Sequence, residues 1–252
     1  MTSDAFESSA TPLFQPARTR IKICGLTREQ DLDAAVAAGA DAVGFVLYAA
    51  SPRAVSVARA SELAARLPPF VTPVLLFVNE TAEATRAALR AVPGSTAQFH
   101  GDETPAQCIE ATGFGAHRFL RAARIPLGAA GADFDLVKYA SDFSHAQAIL
   151  LDAHVDGFGG GGKAFDWSLL PTAVDAHLVL SGGLTPANVA DGIRQLRPRC
   201  RSLAVDVSSG VEAVGPGNKG LKGITDAGRI RDFIAAVRQA DMSAENAVRH
   251  RG

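Results

Sequence analysis

Four polar residues sit at or near the ends of apolar, strand-like segments of this chain. Cys24 closes RIKIC (20–24), His100 closes STAQFH (95–100), Asp152 closes AQAILLD (146–152), and Asp206 lies inside SLAVDVSS (202–209). A cysteine partly exposed in a charge-handling mouth can have its pKa lowered and supply a thiolate. A carboxyl group reaching the same space from another strand can supply a proton. One base and one acid facing a substrate from different sides suit a proton-shuffling isomerisation. Each residue also has a plainer reading. A lone cysteine is usually a small buried hydrophobe, which is how Cys108 and Cys200 are read. Asp152 can cap the loop that follows it, and His100 can be a satisfied inner-layer histidine.

Which reading holds depends on the elements that carry these residues. Strand-like and helix-like text alternates from Arg20 to Val237 without a long linker: RIKIC, DAVGFVL (41–47), TPVLLFVN (72–79), STAQFH, HRFLRAA (117–123), AQAILLD, AHLVLSG (176–182) and SLAVDVSS. Thr27 with Gln30 reads as a capping box opening the first helix, and Gly39 is placed to end it. Thr104-Pro105 and Thr185-Pro186 each set a capping hydroxyl before a proline suited to the first helical position. Ile230, Phe233, Ile234 and Val237 give the last helix its apolar stripe. About eight strand–helix units in ~250 residues predict a closed eight-stranded parallel (βα)8 TIM barrel. The alternative is an open doubly wound sheet, but its G-x-G-x-x-G turn after the first strand is absent. The barrel is predicted over 20–239, with loosely ordered extensions at 1–19 and 240–252.

In a barrel, strand alternation turns Ile21 and Ile23 toward the helices and leaves Lys22 and Cys24 inside. The same parity turns Gln98, His100, Asp152 and Asp206 inward. Barrel active sites lie at the carboxyl ends of the strands, where Cys24, His100, Asp152 and Asp206 converge. The loops SGGL (181–184) and DVSSGVE (206–212) follow strands seven and eight, the usual place for a phosphate held by backbone N–H groups. Gly182, Gly183, Ser209 and Gly210 allow the close backbone approach this needs. Arg53, in SPRAVS, is either a solvated loop charge or a bidentate partner for a carboxylate.

The stretch GFGGGGKA (157–164) spells the start of a phosphate-cradling P-loop, yet it lacks that motif's context. Four residues separate Asp152 from Gly157, Ala164 stands where Ser or Thr would hold Mg²⁺, and Pro171 limits any helix that follows. It reads instead as a glycine-hinged loop after strand six that can cover a bound phosphorylated ligand, with a backbone amide near Gly160 close to the phosphate.

Bulk composition narrows the function classes. With 25 Lys+Arg against 26 Asp+Glu the formal net charge is -1, without the basic excess of a nucleic-acid binder. No apolar run reaches the ~18–20 residues of a membrane span. The first residues lack a signal-peptide core, and Asp4 and Glu7 disfavour a transit peptide. Three cysteines without metal-knuckle or C-x-x-C spacing are consistent with a reducing, cytoplasmic compartment. Monomer and homodimer both remain open.

Taken together, KICGLT, GADAVGFVLYAASPRAVS, LFVNE, AQFHGDE, LLD, GGGGKAFDW, LVLSGGLTPANV and VDVSSGVE resemble, in order and over residues 20–239, the phosphoribosylanthranilate isomerase family of tryptophan biosynthesis. The resemblance implies a (βα)8 barrel that uses no metal or organic cofactor. It implies an Amadori rearrangement of N-(5-phosphoribosyl)anthranilate to the 1-amino-1-deoxyribulose 5-phosphate, with Cys24 as general base and Asp152 as general acid. It assigns Arg53 to the anthranilate carboxylate, and Gly182, Gly183, Ser209 and Gly210 to the phosphate. Gln98, His100 and Asp206 match positions near the substrate without a separate step. The thiol and the carboxyl would each need tuning toward neutrality, by ~1–2 units, for these roles. The chain departs from the family at Gly161, where Thr or Ser is usual, at Leu75, and in the longer segment 214–223. A neighbouring phosphate-binding barrel enzyme (an epimerase or an indole-glycerol-phosphate synthase) and a barrel that binds a phosphorylated ligand without turnover are the competing readings.

Overall fold

The eight apolar segments form eight parallel strands that close on themselves in chain order, β1 pairing with both β2 and β8. The strands are β1 (Arg20–Cys24), β2 (Ala42–Val46), β3 (Thr72–Phe77), β4 (Thr96–Phe99), β5 (Phe119–Ile125), β6 (Ala148–Ala153), β7 (Val174–Leu180) and β8 (Cys200–Val207). The helices are α1 (Glu29–Ala38), α2 (Val57–Ala64), α3 (Ala82–Ala91), α4 (Pro105–Ala111), α5 (Leu136–Asp142), α6 (Val189–Leu196) and α7 (Ala227–Arg249). This computed structural model describes residues 18–127, 131, 133–153, 167–218 and 220–249. A small antiparallel hairpin, β9 (Glu212–Val214) and β10 (Gly220–Thr225), stands between β8 and α7. It contains the segment 214–223 singled out in the sequence.

Strand parity sorts the side chains as expected. Ile21, Ile23, Val43, Phe45, Leu75, Phe77, Phe99, Ile149 and Leu151 belong to the large core shared with the helices. Ala122, Ala148, Leu150 and Val179 form a separate small cluster with Leu120 and Ala204. Leu150 and Ala204 lie two residues before Asp152 and Asp206, so they share those residues' inward face. The barrel interior is thus small and apolar below, with polar side chains above it.

Helix ends follow the sequence signals unevenly. Gly39 caps α1 in the left-handed region at φ 96°. Thr104 and Gln107 form a true capping box at α4, with Pro105 in the first turn. Thr27 does not cap α1: its hydroxyl donates to the Gly223 carbonyl on the hairpin, and Arg28 is the cap residue instead. Thr185-Pro186 does not open α6 either. A turn through Asn188 intervenes, closed by Thr185 N–H donating to Asn188 Oδ1, and the helix starts at Val189.

The boundaries of the extensions also change. Helix α7 continues past Ala240 to Arg249. Asp241 is buried and accepts from the backbone N–H and the hydroxyl of Thr19 and from Arg197. The polar text from Ala240 is therefore helix as far as Arg249, and the buried Asp241 ties that helix to the start of β1. The rest of the N-terminal extension, residues 1–17, lies outside the described residues.

Candidate active site

Lys22 and Cys24 emerge from β1 on its inward face, and Asp206 lies on the adjacent strand, β8, as the register partner of Lys22. The Lys22 ammonium donates to Asp206 Oδ1 at 2.8 Å, with both side chains almost wholly buried. Gly44, the register partner of Cys24 on β2, leaves room for them: a Cβ there would stand 2.6 Å from the Cys24 sulfur and 3.0 Å from Lys22 Nζ. Ser181, just past β7, donates to the other Asp206 oxygen at 3.5 Å.

Electrostatics at this corner run against the simplest expectation for a base. Burial pushes the Cys24 thiol above its ordinary range, the Lys22 ammonium pulls it back down, and Asp206 raises it again. The net direction is upward, so burial outweighs the cation and the resting thiol is neutral near pH 7. Burial also disfavours the Lys22 ammonium, yet Asp206 and then Cys24 hold its pKa above the usual lysine value.

Across the barrel, Asp152 Oδ2 lies 2.9 Å from His100 Nε2, and His100 Nδ1 lies 3.2 Å from Gln98 Nε2. All three side chains are buried. The other Asp152 oxygen accepts from the Ala153 N–H at 3.0 Å. His100 is itself braced from outside the barrel. One guanidinium, that of Arg121, donates to the carbonyls of Phe99 and Gly101, on either side of His100, and to Glu103. Glu103 in turn accepts from the N–H groups of Asn79 and Gly101. Arg124, the register partner of Asp152 on β5, reaches Asp102 at 3.3 Å.

Arg53 is buried in the loop after β2, where its Nε donates to Glu212 at 2.7 Å and its Nη2 has no hydrogen-bond partner among the described residues. Past β7, Gly182 and Gly183 both take left-handed backbone, φ 77° and 65°. Past β8, Ser209 and Gly210 lie in a 3₁₀ turn, Ser209–Val211. A Cβ at Gly210 would fall 1.9 Å from the Leu184 carbonyl, so the two loops lie against one another. Gly182 also borders the acid, since a Cβ there would meet Asp152 Oδ1 at 2.8 Å. The predicted cover, with Gly160 and Gly161, falls at 154–166, outside the described residues.

The structure thus gathers Cys24, Arg53, Gln98, His100, Asp152, Gly182, Gly183, Asp206, Ser209 and Gly210 at the carboxyl ends of the barrel strands. It adds residues the sequence reading gave no role: Lys22, Gly44, Glu212, and the Arg121–Glu103 pair. Among the described residues no cluster of three or more His, Cys, Asp or Glu side chains is placed to hold a metal ion.

A base candidate and an acid candidate facing one barrel mouth are the chemistry of a sugar isomerase, and comparison with known proteins gives the family. The sequence profile described as N-(5'phosphoribosyl)anthranilate (PRA) isomerase matches residues 21–235. The chain belongs to this family. A curated N-(5'-phosphoribosyl)anthranilate isomerase of Methylibium petroleiphilum is 61% identical over 224 residues, 89% of this chain and 96% of the relative. The crystal structure of phosphoribosyl anthranilate isomerase from Thermotoga maritima superposes with a TM-score of 0.73 at 37% identity, covering 88% of this chain and 99% of that one. Another phosphoribosyl anthranilate isomerase structure, 33% identical with a TM-score of 0.68 and the same coverage, was solved in complex with reduced 1-(o-carboxyphenylamino)-1-deoxyribulose 5-phosphate. Membership in the phosphoribosylanthranilate isomerases makes this chain an enzyme of tryptophan biosynthesis, and it sets the epimerase, synthase and non-catalytic readings aside.

Proposed function

We propose that this chain performs the Amadori rearrangement of N-(5'-phosphoribosyl)anthranilate with Asp152 as general acid and Cys24 as general base. The observation that carries the assignment is the pair of separately supported groups at one mouth, Cys24 beside Lys22–Asp206 and Asp152 on the Gln98–His100 chain. Asp152 donates its proton to the furanose ring oxygen as the C1–O bond breaks, which leaves a protonated Schiff base at C1. The Cys24 thiolate removes the proton from C2, and the electron pair moves toward the iminium nitrogen. The enolamine then tautomerises to the C2 ketone.

The raised Cys24 pKa fits this order of events. Before ring opening the buried thiol is neutral and unreactive. The iminium brings a positive charge to the site and acidifies C2–H, so loss of the thiol proton to solvent water, which leaves the thiolate, is favoured at the step that needs it. On the acid side, Gln98–His100–Asp152 suits either protonation state. If the Gln98 amide donates to Nδ1, His100 donates to an ionised Asp152; with the amide turned over, His100 accepts from a protonated Asp152. Arg53 Nη2 meets the anthranilate carboxylate, and the Gly182–Gly183 and Ser209–Gly210 loops hold the phosphate with backbone N–H groups.

A cytoplasmic location belongs to the same proposal and rests on the three unpaired cysteines. No described helix is long and apolar enough to cross a membrane.

Anthranilate-type fluorescence, followed as the aminoaldose is added, tests the roles. Cys24→Ser and Asp152→Asn are each expected to lose about a hundredfold to ten-thousandfold in kcat, the usual worth of a general acid or base, with KM little changed. Near-wild-type kcat in either variant would remove that residue from the assignment.

A further inference from the structure

The hairpin of β9 and β10 stands between β8 and α7, and its contacts converge on Arg53. Glu212, on β9 and almost wholly buried, takes Arg53 Nε on Oε1 at 2.7 Å and the Gly223 N–H on the same oxygen at 2.8 Å. The Gly223 carbonyl accepts from Thr27, and Asp31 of α1 accepts from the Thr225 N–H. The hairpin is therefore fastened to the start of α1 and to the arginine at once. Gly25 completes the seat, because a Cβ there would stand 2.5 Å from Arg53 Cδ.

We propose that Glu212, carried on this hairpin, is a positioning residue that sets the enzyme's preference for a substrate bearing an aryl carboxylate. It rests on the assignment of Arg53 to that carboxylate. An arginine has several rotatable bonds and would otherwise sample orientations at an entropic cost to binding. Glu212 fixes the guanidinium by its Nε edge and leaves Nη2 buried and, among the described residues, without a partner, so that it is available to a ligand. The charge count supports the same reading. Glu212 neutralises one cation, and Lys222 on β10 stands 3.9 Å from its second oxygen. Arg53, Lys222 and Glu212 together carry one net positive charge, matched to one carboxylate. A guanidinium left without Glu212 would keep its charge and lose its aim.

Steady-state kinetics with two aminoaldose phosphates, one built on anthranilate and one on aniline, separate positioning from mere support of the fold. Glu212→Gln is expected to raise KM for the anthranilate substrate roughly tenfold to hundredfold, the worth of a charge-assisted hydrogen bond, with kcat within about threefold. For the aniline substrate, which has no carboxylate to aim at, kcat/KM is expected to change by less than about twofold. Lys222→Glu keeps the test open should Glu212→Gln fold poorly, since Lys222 is half-exposed. It reverses the local charge balance, so it is expected to raise KM for the anthranilate substrate by roughly threefold or more and to spare the aniline one. Equal losses on both substrates, or no loss on either, in whichever variant folds would overturn the proposal. A wild-type enzyme that fails to isomerise the anthranilate substrate would instead overturn the functional reading beneath it.

Discussion

The two halves of the barrel mouth solve opposite problems with different physics. On the β1–β8 side, Cys24 lies beside a buried ion pair, and its ionisation is set first by burial, which raises the thiol pKa, and then by Lys22, which opposes the rise. On the β4–β6 side, Asp152 is held by hydrogen-bonding groups in series, His100 and then Gln98. A base that must stay quiet until a cation forms is served by a balance of charges that the substrate can tip. An acid that must release a proton and recover one is served by a chain whose hydrogens can be rearranged. The first rests on burial and nearby charge, and the second on a chain of hydrogen bonds.

That contrast can be broken at its charged end first. Lys22→Met removes the one ammonium that lowers the Cys24 pKa, so the thiol should move further up. At about neutral pH, kcat/KM should fall by roughly tenfold or more for each unit of that shift, and raising the pH should recover part of the loss. Stability should fall as well, since breaking a buried pair leaves Asp206 uncompensated, a loss of about 3–5 kcal/mol. The double variant Lys22→Met, Asp206→Asn, followed by thermal melting, should regain most of the stability but only part of the neutral-pH activity, because Asp206 raises the thiol pKa by less than Lys22 lowers it. If Lys22→Met kept the wild-type pH profile, the ammonium would have no part in tuning the base. The smaller effect belongs to the other half. His100→Asn should lower kcat by up to about a hundredfold through misplacement of Asp152. It should leave the ascending limb of the pH profile where it is in wild type, and a shifted limb would show that the halves are not separate.

Much of the fold was legible because parallel barrel strands are buried on both faces and read as apolar runs. RIKIC matches β1 residue for residue, and the inward parity of Lys22, Gln98, His100, Asp152 and Asp206 followed from alternation alone. What alternation cannot supply is the partner of each inward group. Arg53 meets Glu212 across 159 residues, and Lys22 meets Asp206 across 184. Nothing local in the sequence encodes either pairing. The helix starts misread at Thr27 and Thr185 failed for a related reason, since each residue was already engaged elsewhere, Thr27 by the hairpin and Thr185 by the Asn188 turn. A signal was available for the Arg121 brace: an arginine at an outward, helix-facing position of HRFLRAA demands a buried carboxylate, and Glu103 follows His100 by three residues. The expectation of a thiol tuned downward missed because position in a strand says nothing of how completely the site is dry.

Cys24 is the proposed base, and its burial holds it as a neutral thiol in the resting enzyme. The pH dependence of kcat/KM tests it most directly, since that ratio reports the ionisations of the free enzyme. Because burial raises the folded pKa, the active thiolate gains population only as pH rises. Activity should therefore still be climbing above the ordinary cysteine value of about 8.5. A profile already flat below about pH 7, well under that value, would mean that the base is ionised in the resting enzyme and would contradict the account.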